Sequence, residues 1–134
     1  MATNQEIIDD AGYELGALEY GQSFDATDSA DALTAFNRMM SQWEYDGKDL
    51  NWFTQDTLGD TCPIPKWAER GVVSALAIDL GAVFNISPSP SLVVKSDDGQ
   101  RFIAKVLIDL ELEGLNNDHL PQGWPYWGDI LNGP

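Results

Sequence analysis

From Pro65 to Phe84 the apolar residues Trp67, Val72, Val73, Leu76, Ile78, Leu80 and Val83 fall almost all the way round a helix. A helix with so little polar circumference is stable only when other elements enclose it. This segment therefore expects to be the central, most buried helix, with the rest of the chain wrapped about it. At 134 residues the chain is long enough for one such core without disulfide or metal staples.

Three further segments have the period of enclosing helices. Thr3-Asn4-Gln5-Glu6 has the S/T-x-x-E form of a capping box, and Ile7, Ile8, Ala11, Leu15 and Leu18 then share one face. Gly16 and Gly21 mark the end of that helix. Asp28 to Asp46 carries Leu33, Phe36, Met40 and Trp43 as a single apolar stripe, with Gly47 placed for a left-handed cap. Ser89-Pro90 makes a cap followed by a first-turn proline, and Ser91 to Gly114 places Ile103, Val106, Leu107 and Leu110 on one face. Gly99 either lies within that last helix, which the pattern favours, or divides it in two.

The expected fold is all-α: a four-helix bundle, or five helices if Gly99 breaks the last. Between the second and third helices, Lys48 to Ile64 loses the helical period. Trp52-Phe53-Thr54 and Thr61-Cys62 are rich in aromatic and β-branched types around Gly59, which reads as a short β-hairpin or an extended loop. The helical domain is drawn as residues 1–115. The remainder, 116–134, is rich in Gly and Pro yet carries Trp124, Tyr126, Trp127, Ile130 and Leu131. Such aromatic anchors on a non-helical backbone suit an extended docking tail, seated on its own domain or on a neighbouring chain.

Charge excludes several functions. The net charge is −15, and eight acids precede the first base, Arg38. After Lys105 there are five acids and no base, so both ends are acidic and the middle is nearly balanced. A protein that grips nucleic acid by neutralising phosphates needs a basic face, and an anionic membrane would repel this one. The apolar runs are too short to span a bilayer, and Met1 to Glu6 lacks the basic and hydrophobic regions of a signal peptide. One cysteine, Cys62, and one histidine, His119, supply neither an internal disulfide nor a zinc site. These features predict a soluble protein of a reducing compartment.

Catalytic patterns are lacking. There is no G-x-S-x-G elbow and no glycine-rich phosphate loop. Asp98-Gly99 and Asp46-Gly47 fail as calcium loops, because the first and twelfth positions would be Val94 with Lys105, and Gln42 with Phe53. The many acids make carboxylate pairs by accident, so pairs alone identify no hydrolase.

Ala32-Leu33-Thr34-Ala35-Phe36-Asn37-Arg38-Met39-Met40-Ser41-Gln42-Trp43-Glu44-Tyr45-Asp46-Gly47 resembles the A-L-x-x-L-N-x-M-L-x-x-W-x-x-x-G helix of phage head-to-tail adaptor proteins, with Phe36 in place of a leucine. These are also called tail accessory or head-completion proteins, and they occur in short-tailed phages. Ile7-Ile8 with Leu15-Gly16 is similar to the first helix of that family. Ala75-Leu76-Ala77-Ile78-Asp79-Leu80-Gly81 resembles its third helix, followed by a Ser-Pro turn and a fourth helix. The order of parts is shared over residues 5–115.

The resemblance implies a non-enzymatic structural protein of the virion that needs no cofactor or metal. It would form a homo-oligomeric ring, commonly a dodecamer, below the portal protein. Such a ring joins head to tail, continues the DNA channel, retains packaged DNA without binding it specifically, and receives a tail nozzle or hub protein. Trp124, Tyr126, Trp127, Ile130 and Leu131 would then dock on the portal or a neighbouring subunit, and Trp52 and Phe53 would form a possible interface loop. An acidic channel wall suits this role, since it repels DNA phosphates and lets the duplex slide. Two other classes remain open at this point: an acidic inhibitor that mimics DNA, and a hydrolase using a carboxylate pair.

Overall fold

The computed structural model describes residues 2–19 and 21–117. Four α-helices make up the described chain: α1 (Asn4–Leu15), α2 (Ala26–Tyr45), α3 (Glu69–Phe84) and α4 (Pro90–Asn117), with a 3-10 turn, Lys66–Ala68, leading into α3. The fold is an all-α bundle. Helix α3 packs against each of the other three, most extensively against α4 and then α1. Val72, Ala75, Leu76, Ala77 and Leu80 on α3 are all buried, as its nearly continuous apolar surface requires. They meet Ile7, Ile8 and Ala11 of α1, Phe36 and Met40 of α2, and Leu92 and Ile103 of α4 in one core.

Local chemistry sets the helix ends. The Thr3 hydroxyl accepts from the Glu6 amide at 3.2 Å, so the N-cap half of the expected capping box forms. Gly16, with φ +87°, closes α1. Asp25 rather than Asp28 begins α2, because its carboxylate accepts from the Asp28 amide at 2.7 Å. Gly47 takes φ +86° and the Lys48 amide reaches back to the Trp43 carbonyl at 2.9 Å, which is a Schellman ending. Ser89 caps α4 by accepting from the Leu92 amide at 3.2 Å, with Pro90 in the first turn.

Two alternatives that the sequence leaves open are resolved. No hairpin forms between α2 and α3: among the described residues the segment has only an isolated antiparallel bridge, Thr3 to Thr61. The segment instead lies extended across the start of α1. Asn4 and Gln5 donate their amides to the Asp60 and Leu58 carbonyls at 3.0 and 2.9 Å, and the Cys62 amide donates to the Ala2 carbonyl at 2.8 Å. The first-turn amides of a helix have no partner within it, so the strap spends its carbonyls there instead of on a second strand.

The second alternative concerns Gly99, where the favoured single helix holds. Helix α4 runs unbroken through it for 28 residues, excluding the five-helix alternative, and ends two residues past the boundary drawn at 115. A Cβ on Gly99 would lie 2.7 Å from Gly71 Cα, and one on Gly71 would lie 2.9 Å from the Gly99 carbonyl oxygen. The glycines are what let α3 and α4 approach this closely. Beyond this crossing α4 outruns its neighbours: Ile103 is buried, Val106 and Leu107 are half-buried, and Leu110 is exposed although it continues the same face. No described helix is long and apolar enough to cross a membrane.

Candidate functional site

Three features stand out on this scaffold. The first is a polar clasp that holds the strap. Asn37, on the strap side of α2, accepts at Oδ1 from the Gln55 amide (2.9 Å) and from Trp52 Nε1 (3.2 Å), while its Nδ2 donates to the Gln55 carbonyl (2.9 Å). The Gln55 side chain accepts in turn from Asn4 Nδ2 at 2.9 Å. Trp52 is buried, its ring centroid 4.8 Å from that of Phe36, whereas Phe53 is 64% exposed. The proposed interface loop therefore divides: Trp52 packs into this chain's own core, and Phe53 alone of the two offers a side chain to a partner.

The second feature is an acid-rimmed cleft of about 550 Å³ between α1 and α3, lined in part by Asp10, Tyr13, Glu14, Glu69 and Arg70. Burial, and then the like charges of Asp9, Glu6, Glu69 and Glu14, push the Asp10 carboxyl above its ordinary 3.8. Because the folded state holds this proton more tightly than the unfolded chain, the group costs stability once ionised, and stability falls as pH rises through the raised range. Asp10→Asn is expected to raise the thermal midpoint at pH 7 and to lose that gain below pH 3.8, where both states are protonated. Thermal melts of the two proteins across pH check this; an equal gain at every pH would contradict it.

The third feature is a groove of about 510 Å³ over the glycine crossing of α3 and α4. Gly71 and Gly99 lie in its lining, with Arg70, Val94, Lys95, Asp98 and Phe102 around them. Val94 and Phe102 are 59% and 52% exposed, and the Phe102 ring meets Trp67 edge-on at 6.4 Å. Lys95 pairs with Glu14 at 2.6 Å; Arg70 makes no salt bridge among the described residues. The groove thus combines two exposed apolar side chains with one carboxylate and two cations, of which Lys95 is already paired.

The sequence-derived docking residues Trp124, Tyr126, Trp127, Ile130 and Leu131, with most of the 116–134 tail, lie outside the described residues. The groove had one visible signal, a glycine in the interior of a helical pattern, but its partner Gly71 is 28 positions away and only the fold joins them. Burial, with a smaller contribution from the Glu69 charge, pushes the Cys62 thiol up to about 12, so it is not poised as a nucleophile. Among the described residues no group of three or more His, Cys, Asp or Glu is placed to hold a metal ion. Compared with known protein families and with characterised proteins, the chain has no match.

Proposed function

We propose that this chain is a structural subunit of a phage neck: a head-to-tail adaptor that assembles as a ring below the portal, continues the DNA channel and takes no part in catalysis. The observation that carries the reading is the order of parts. A short first helix, a helix bearing Asn37-Arg38-Met39-Met40 and Trp43, a strap, a central apolar helix, a Ser-Pro turn and a long last helix follow one another as in the adaptor family.

The positions that carry the resemblance have definite work in this chain. Leu33, Phe36, Met40 and Trp43 are buried, and Asn37 secures the strap. The acidic surface supports the same reading, since a channel wall that repels phosphates does not bind the DNA it conducts. In the assembled virion the ring belongs to the neck, between portal and tail.

Residues 118–134, with Trp124, Tyr126, Trp127, Ile130 and Leu131, are the segment that would engage the portal or a neighbouring subunit. A chain ending at Asn117 is expected to keep its helical circular dichroism and cooperative melting, and to fail to co-purify with the portal encoded in the same genome. Portal binding of undiminished affinity by the shortened chain would overturn this assignment of the tail.

A further inference from the structure

Helix α4 runs for 28 residues, against 20 for α2, the next longest of the described helices. Its stretch beyond the crossing with α3 is apolar on two sides. Val106, Leu107 and Leu110 continue the stripe of Leu92 and Ile103 that enters the core, but burial along that stripe runs out. Ile103 is buried, Val106 and Leu107 are half-buried, and Leu110 is 51% exposed. Ile108 and Leu112, one turn apart on the opposite side, are 56% and 53% exposed. Scattered exposed apolar residues are ordinary. A core stripe that continues past its last partner is not, because a helix takes most of its stability from the apolar face it packs.

We propose that in the free chain residues 118–134 fold back along α4 and seat Trp124 and Trp127 on the stripe of Val106, Leu107 and Leu110, extending the core past Ile103. The chain leaves α4 at Asn117, just beyond that stripe. Trp124 lies seven residues further on, a reach of up to about 23 Å in extended chain. Leu110 lies seven residues back and Val106 eleven, about 10 and 17 Å along the helix. The return therefore needs no stretched backbone. Pro121 and Pro125 oppose continuation of the helix, and Gly123 between them suits a reversal. The tether favours this occupant over a second copy. A segment joined to the end of the same helix meets the stripe at an effective concentration in the millimolar range, which a separate molecule reaches only in concentrated solution. Charge does not assist the contact: Lys105 stands among Asp109, Glu111 and Glu113 on α4, and the tail brings Asp118 and Asp129 with His119. Apolar burial carries it, so added salt should not weaken it. The contact concerns the free chain alone and stands or falls independently of the adaptor reading.

The test is amide hydrogen exchange on the full chain, read across residues 105–113. Replacing both tail tryptophans, Trp124→Ser with Trp127→Ser, leaves the end of α4 intact. These amides are then expected to exchange about 10-fold faster or more, while those of α3 keep their rates. Leu110→Gln alters an exposed site with a good helix former, so the variant should fold, as circular dichroism can verify. It is expected to give the same acceleration and to shift tryptophan emission to the red as Trp124 and Trp127 return to water. Combined with the tail substitutions it should add little, because both remove one contact. Wild-type protection is expected to hold across a ~20-fold range of protein concentration, as a tethered contact requires, and from low to high salt. Exchange across 105–113 that ignores the tail substitutions would overturn the fold-back, as would effects of the two sites that add in full. Protection that rises with protein concentration would also overturn it, by assigning the stripe to a second copy.

Discussion

Replacing Gly99 by valine is expected to destabilise the protein by about 3 kcal/mol, against the usual effect of removing glycine from a helix. In an exposed helix interior a residue with a side chain gains up to ~1 kcal/mol over glycine. Here the added Cβ would lie 2.7 Å from Gly71 Cα and 3.3 Å from Ser74 Oγ. Its nearest neighbour is backbone, so no rotamer change relieves the contact, and α3 and α4 must separate. Separation loosens Ile103 and Leu92, which are buried against α3. Overpacking of this kind typically costs ~1–3 kcal/mol, and valine's second branch puts it at the upper end. Urea unfolding followed by circular dichroism reads the change as a lowered midpoint at an unchanged slope. A variant more stable than the wild type would mean that the helices do not cross at Gly71 and Gly99.

Asn37→Ala should have an effect of similar size by a different route. The asparagine side chain makes three hydrogen bonds to the strap, at 2.9, 2.9 and 3.2 Å. A typical bond contributes ~1 kcal/mol net, and donors left buried without partners cost more, so a loss of about 3 kcal/mol is expected. Truncation strands the Trp52 indole N–H, which is buried beside Phe36. The strap should also open more often. Cys62 sits on it, buried and with its thiol pushed up to about 12, so in the wild type it reacts slowly with thiol reagents. In Asn37→Ala its labelling should accelerate by at least an order of magnitude, as a loss of ~1.4 kcal/mol in local opening would already produce. Unchanged labelling together with unchanged stability would show that the strap is held elsewhere.

Both predictions concern contacts that periodicity cannot see, and this is where the sequence stops being informative. The stripe Leu33, Phe36, Met40 and Trp43 placed α2 because every turn of a helix repeats its buried face. The apolar circumference of α3 placed it at the centre for the same reason. Ser89-Pro90 announced the start of α4 through local capping chemistry, which acts within a few residues.

The strap was harder, since Trp52-Phe53-Thr54 has the composition of a strand. What consumes its hydrogen bonds is the side chain of Asn37 and the first turn of α1, far away in sequence. Gly99 looked like a cost to α4 because the helix that needs its missing side chain is α3. Trp124, Tyr126, Trp127, Ile130 and Leu131 owe their candidacy to composition alone, aromatics on a Gly- and Pro-rich backbone.

As a head-to-tail adaptor, the proposed role, many copies of this chain are expected to assemble on a portal. Light scattering coupled to size exclusion measures it directly, on the full chain with and without the portal protein from the same genome. The expected result is a complex whose mass exceeds the portal's by many copies of the 14.8 kDa chain, in a fixed ratio that excess chain does not raise. A chain whose mass is the same with and without the portal, and a portal that elutes unchanged, would contradict it.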